Sequence, residues 1–312
     1  MPRIPYWILL VGLATANPGL AFGESEPSAE KPARARPPEW GDEAASVFFT
    51  DVRDVLVGER PSLGDSSRRT EQSSPDQRAP GIAWSDAVPG DVVITEIKRT
   101  VGQLEASLAS PGKFRGGGNA AAEKHFRWLA LLFAIVEEFD AEVRWKREAA
   151  GLRNYAAAVA EACSGTDESA YQRASLAGQD FADLVRGQRP AVSENPSADD
   201  WSQLADMSLV MRRMELSLEN RVKAALANRK SFRRLSDEAS HEAALLAMLA
   251  SATVHEGSDY AGDDDFETLA RKLQVSSRDL MKALENREYE TAQQSGAAVT
   301  RSCAECHDSY RG

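Results

Sequence analysis

The chain has 312 residues, with 37 Lys and Arg against 48 Asp and Glu, for a formal net charge of −11. An acidic chain of this kind does not favour nucleic acid or an anionic membrane surface as a partner, and leaves basic proteins as the complementary class. No Ser-His-Asp set, phosphate-binding loop or second metal site stands out in it, so the sequence does not read as an enzyme.

Residues 1–23 have the pattern of an export signal: Arg3, an apolar run from Trp7 to Leu13, and Ala21-Phe22-Gly23 as a small-x-small cleavage site before Glu24. The run is short and broken by Asn17-Pro18-Gly19, so a membrane anchor is not expected, nor any membrane span in the mature protein. Removing this segment takes away Arg3 and makes the chain more acidic still. Residues 24–90 read as a linker rich in Pro, Ser, Gly and charge. Within it, 43–57 reads as a short helix with Val47, Phe48, Val52, Val55 and Leu56 on one side, packing back on the main body or docking a partner.

Beyond residue 90 the good helix formers Ala, Leu, Glu and Arg dominate. Helical periodicity predicts helices over 94–109, 120–139, 145–163 and 169–187, then over 201–228, 236–254, 265–285 and 287–310. The expected fold is all-α: two tandem antiparallel four-helix bundles over 91–195 and 197–312. The two sets read as a repeat. Residues 103–108 lie over 213–218, His125 over His241, Leu129 over Leu245, Trp145 over Phe266, Leu152 over Leu273, and Tyr171 over Tyr289. Cys163 lies in the first set and reads as a buried, apolar thiol.

The second set ends in Cys303-Ala304-Glu305-Cys306-His307, a C-x-x-C-H pattern. This is the attachment signature of a c-type haem: two thiols on one helical face for the thioether bonds, and a histidine for the iron. A zinc half-site or a dithiol pair fits less well, because there is no second C-x-x-C and the preceding residues read as helix rather than strand. Thioether attachment takes place outside the cytoplasm, so the export signal and the motif agree on a periplasmic protein. On the repeat, Cys303, Cys306 and His307 fall opposite Val185, Gln188 and Arg189, so the first bundle is expected to be a haemless copy filled by Trp128, Phe133 and Phe139.

The motif continues as Asp308-Ser309-Tyr310-Arg311 and closes the chain. In this the region 200–312 resembles the class II c-type cytochromes, the cytochrome c prime family. The resemblance implies a four-helix bundle with one covalent haem c on its last helix. It also implies a first helix that faces the far side of the iron. That helix carries Met207, Met211 and Met214, which fall opposite Ile97, Val101 and Leu104 in the repeat. Met211 is the expected sixth ligand, against the reading of a methionine-rich core. His241 and His255 are lesser candidates. Arg212 and Arg213 resemble the family's propionate partner, and Arg311 is a further residue for the haem edge. The expected function is one-electron transfer with redox partner proteins. The alternatives are a five-coordinate haem that binds NO or CO, and a haem-bearing subunit that docks a larger redox complex. Family members often dimerise through their early helices, so a homodimer, or a pseudo-dimer within one chain, is expected.

Overall fold

The computed structural model describes residues 83–189 and 201–311. The leader over 1–23, the linker up to 82 and the helix expected over 43–57 lie outside these residues. Among the described residues the regular structure is helical. The first set comprises α1 (Trp84–Ala87), α2 (Gly90–Ser107), α3 (Asn119–Glu138), α4 (Ala149–Ala162) and α5 (Glu168–Arg186). The second comprises α6 (Met207–Glu215), α7 (Arg229–Ala252), α8 (Asp264–Glu285) and α9 (Tyr289–Tyr310). None of the described helices is long and apolar enough to cross a membrane.

Local chemistry sets the helix starts. Side chains of Asp167, Asp206, Asn228 and Asp263 each accept the backbone N–H three residues on, at 2.9, 2.7, 2.9 and 2.9 Å. Each satisfies a donor that has no partner inside the helix. Before α3, Pro111–Lys113 and Phe114–Gly118 form a kinked lead-in, where Gly117 takes φ 105°, a conformation that favours glycine. After Glu215, α6 continues through a π turn, Leu216–Val222, into Lys223–Leu226. The lead-in and the π turn are not legible in the periodicity.

Three boundaries differ from expectation. Residues 84–90 belong to the fold rather than to the linker, because Trp84 is fully buried and stacks on Trp201 at 5.7 Å and 5°. The second set begins in a tight turn, Trp201–Gln203, and α6 starts only after Asp206. Trp145 stands at φ 68°, outside α4, with its ring against Phe133 at 6.2 Å. It therefore does not match Phe266, which lies inside α8.

In the first set α2 packs on α3 and α5, and α4 on α3 and α5. In the second, α7 packs on α8 and on the continuation of α6, while α9 packs on α8 and on Lys223–Leu226. Each is a closed ring of four helices, and consecutive helices joined by short connections run antiparallel. The sets meet where α7 touches α1 and α2, and their buried side chains form one continuous apolar cluster. Cys163 is fully buried within it, and its carbonyl accepts Asn119 Nδ2 at 3.1 Å.

The repeat recurs in the contacts. Tyr171 Oη donates to the Leu108 carbonyl at 3.3 Å, and Tyr289 Oη to the Leu226 carbonyl at 3.2 Å. The Phe114 ring meets Tyr171 edge-on at 5.6 Å, and Phe232 meets Tyr289 at 5.2 Å. A Cβ on Gly178 would lie 2.7 Å from Leu108 Cδ1, and one on Gly296 would lie 2.5 Å from Leu226 Cδ1. Glycine at both positions lets the fourth helix approach the first. These pairs all share one spacing along the chain. They match Tyr171 to Tyr289 as expected, but they match Leu108 to Leu226 rather than to Leu218. The first-helix register read from sequence is therefore two turns out. With the π turn counted as one added residue, Met211 and Met214 stand opposite Ile94 and Ile97, and Arg213 opposite Glu96.

Candidate functional site

Helix α9 brings Cys303, Cys306 and His307 onto its last turns. Both sulfurs are free thiols and both residues are half-buried. Burial raises the Cys303 thiol to about 11, with Cys306 and Glu219 adding to the rise and Lys223 opposing it. Burial raises Cys306 as well. The continuation of the first helix, Lys223–Leu226, packs on α9, and the π turn that carries Glu219 lies just before it. His307 is exposed, and its carbonyl accepts the Arg311 N–H at 3.0 Å. Tyr310 pins this end: its hydroxyl donates to Asp263 Oδ1 at 2.8 Å, and its ring stands edge-on to Tyr260 and Phe266 at 5.5 and 5.1 Å. The last turn of α9 is thereby tied to the first of α8. Among the described residues, no three His, Cys, Asp or Glu side chains come together to hold a bare metal ion.

Three observations test whether this region suits a flat, largely apolar group such as haem. First, the copies differ in bulk. The aromatic rings that are fully buried, Trp84, Phe114, Phe126, Phe133 and Phe181, all lie in the first set, while the second set buries leucines such as Leu245, Leu249 and Leu280 as completely. On the spacing fixed by the tyrosines, Phe181 and Leu184 are replaced by Val299 and Ser302, and Val185 by Cys303. Second, the large apolar side chains that stand exposed include Leu216, at 42 %, and Val275, at 50 %. Leu216 lies at the start of the π turn of the first helix. Val275 lies one turn from Lys272, whose ammonium reaches Glu305 inside the motif at 3.2 Å. Third, the Ser277 hydroxyl on the inner face of α8 is fully buried without a partner. Of these, the smaller side chains at 299 and 302 accord most directly with a bound haem; exposed apolar and unpartnered polar groups occur in the first set too, at Leu176 and His125 Nδ1.

The remaining expected residues are divided between two faces. Met211 is half-buried against the core and Met214 is buried. Met207 turns the other way, into a gap it shares with Leu131 and Trp201 beside the first set. Arg212 and Arg311 are exposed. Arg213 departs from its expected role as a propionate partner. Its guanidinium donates to Glu96 Oε1 at 3.0 Å and to Glu242 Oε2 at 2.7 Å, and it lies over the Trp128 ring at 5.9 Å. With only 14 % of its side chain exposed, Arg213 is committed to these carboxylates.

The two histidines considered as ligands are also engaged. His241 Nε2 meets Glu96 Oε2 at 3.2 Å. The His255 ring nitrogens meet the Glu256 carbonyl at 2.6 Å and Glu138 Oε2 at 2.7 Å, and the ring stacks on Trp201 at 3.7 Å. Burial alone would raise the Glu96 carboxyl. The hydrogen bond from His241 and the charge of Arg213 outweigh it, and bring Glu96 down to about 2. Glu96 and Glu242 were not singled out from sequence. A Glu on a mostly apolar helix face is a weak signal, and for Glu96 the partner lies in the other half of the repeat.

In the first set, α5 ends at Arg186. Gly187 takes φ 105°, and the Gln188 N–H closes on the Asp183 carbonyl at 2.9 Å, a Schellman-type stop. The positions that match Cys306 and His307 thus lie beyond the helix.

Comparison with known proteins agrees with this division. Residues 256–311 match the family model for cytochrome C′, a segment that covers α8 and α9 and ends on the motif. No curated protein and no solved structure matches the chain. The C-terminal segment is thus similar to a family of c-type cytochromes, which are haem proteins with a helical-bundle fold.

Proposed function

We propose that the protein is a periplasmic electron carrier with one haem c bound covalently through Cys303 and Cys306. The observation that carries this reading is the half-buried pair Cys303 and Cys306 with His307 on the last turns of α9, in the copy of the bundle where Val299 and Ser302 stand in place of Phe181 and Leu184. In attachment, each thiol S–H adds across a vinyl C=C: sulfur bonds one carbon, hydrogen goes to the other, and nothing is oxidised. When bound, the haem supplies a one-electron ferric–ferrous couple. His307 would hold the iron through a ring nitrogen, and Met211 would offer it a thioether sulfur from the first helix. Arg212 and Arg311, both exposed, are free to pair with propionates. Tyr310 holds the turn that carries His307 against α8. Soluble redox proteins are the partners, and the chain has no reaction of its own to catalyse.

Leu216 favours a second reading. Leu216 stands exposed at 42 % in the π turn of the first helix, and an apolar side chain left open on that helix would suit a five-coordinate haem that binds NO or CO. The ferric and ferrous absorption spectra of the purified protein, recorded for the parent and Met211→Ala, decide between them. A low-spin ferric spectrum that turns high-spin in the variant supports Met211 as ligand. High-spin bands and rapid CO binding in the parent overturn the electron-carrier reading. Haem extracted by acidified solvent would refute covalent attachment.

A further inference from the structure

Arg213 and Glu96 occupy corresponding positions in the two halves of the repeat, and they meet each other (3.0 Å). Contact between equivalent positions is the mark of a two-fold interface. The surrounding contacts also run from the first helix of one set to the second helix of the other. Glu96, on the first helix of the first set, also reaches His241 on the second helix of the other set. Arg213, on the first helix of the second set, lies over Trp128 on the second helix of the first. The charges, however, are opposite. Two haem bundles paired in this way would set Arg213 against Arg213, whereas the haemless bundle offers a carboxylate. The interface therefore selects the haemless copy as partner and disfavours self-pairing.

The clamp is also continuous with the haem side. Arg213 Nη1 donates to Ser217 Oγ as well as to Glu242, and Ser217 Oγ donates to Glu242 Oε2 at 2.7 Å. Ser217 lies within the π turn, six residues along the helix from Met211, and that turn runs directly into Lys223–Leu226, which packs on α9. π turns inside α-helices are frequent at functional sites, and the added residue rotates the side chains on either side of it relative to each other. Among the described residues the first helix of the haemless copy has none: α2 runs as a plain α-helix.

We propose that the haemless bundle is a fixed partner that sets the rotation of α6 and its π turn against the haem, and that Glu96 is its positioning residue. Glu96 acts through Arg213 and Ser217 and does not touch the haem. The inference rests on the haem reading above, but the clamp can be tested without it.

The test uses the full chain with Glu96→Gln, which keeps the shape and removes the charge, and with Glu138→Gln as a comparison. Glu138 also joins the two sets, through Trp84 and His255, at a site apart from Arg213. Hydrogen exchange is measured over 207–222, in the protein as purified and in a Cys303→Ser/Cys306→Ser background without attached haem. Loss of a charge-assisted hydrogen bond predicts exchange there faster by about tenfold. In the haem-loaded protein, Glu96→Gln should also shift the balance of low-spin and high-spin ferric bands, or the CO-binding rate. Glu138→Gln should change neither. Glu96→Asp keeps the charge and guards against a Gln variant that fails to fold; it should show the same changes to a lesser degree. Unchanged exchange over 207–222 overturns the clamp. Faster exchange with an unchanged haem signature overturns the positioning role. Equal effects from Glu138→Gln overturn it too, by showing general loosening. If no haem is attached, the haem reading fails, while exchange in the haem-free background still decides the clamp.

Discussion

Glu96 makes a sharp prediction about acid stability. Its carboxyl is lowered from the ordinary 4.5 to about 2 in the folded chain. Each unit of such a shift corresponds to about 1.4 kcal/mol, so ionised Glu96 favours the fold by about 3 kcal/mol at neutral pH. That agrees with the roughly 3–5 kcal/mol lost when one partner of a buried ion pair is removed. Because the folded value is depressed, the unfolded chain binds the extra proton between about pH 4.5 and pH 2. The contribution is present in full above 4.5 and is lost as pH falls through about 2. Glu96→Gln should therefore lower stability by about 3 kcal/mol at pH 7, and by progressively less as pH falls through this window. Arg213 keeps Glu242 at 2.7 Å in the variant, so its guanidinium is not left bare. The assay is urea unfolding followed by circular dichroism at pH 7, 5, 4 and 3, for parent and variant. Parallel loss of stability in both proteins across that range would refute the assignment of the low value to Glu96.

Two further predictions concern the copies. Phe181 is fully buried against Phe133, Tyr155 and Phe126, at centroid distances of 5.9, 5.6 and 6.1 Å. Phe181→Ala should cost about 3–5 kcal/mol in unfolding, yet leave the haem absorption bands unchanged. Val299→Phe places the haemless copy's bulk in the haem copy. The ratio of haem absorbance to protein should fall, with helicity retained, and an undiminished ratio would show that this position does not border the haem.

Helix content and most helix ends were legible because Ala-, Leu- and Glu-rich stretches alternate with Asp, Asn and Gly at the breaks. The attachment motif was legible because three reactive residues stand within five positions. The register of the first helices was not. Apolar residues on a helix recur almost as well after two turns as after none, so Leu108 lies over Leu218 in sequence about as well as over Leu226. Only a contact that joins two helices, such as Tyr289 to the Leu226 carbonyl, fixes the register. Arg213 was misread for a related reason. An arginine beside Met211 looks the same in sequence whether it serves a propionate or a carboxylate from another bundle, and Glu96 lies far upstream. The π turn leaves no compositional trace, because it depends on how the helix is packed rather than on which residues it contains.

The two halves show what a haem site requires beyond its motif. Both have the tyrosine–carbonyl bond, the edge-on phenylalanine and the glycine that admits a leucine, so the scaffold is shared. They part at the far end of the fourth helix. In the haemless copy Phe181 and Leu184 fill the core, and Gly187 then turns the chain out of the helix. In the other, Val299 and Ser302 leave the core lighter. Glu305 stands at the position of Gly187, and the helix runs on through His307 to Tyr310, where Asp263 holds it. Two cysteines at 185 and 188 would thus meet a filled core and a helix that has already ended. What distinguishes the haem copy is one change in three parts: bulk removed from the fourth helix, that helix extended by a turn, and its end anchored. The motif is the part that sequence reveals most readily, but its Cys306 and His307 lie on that extended turn, which the first set lacks.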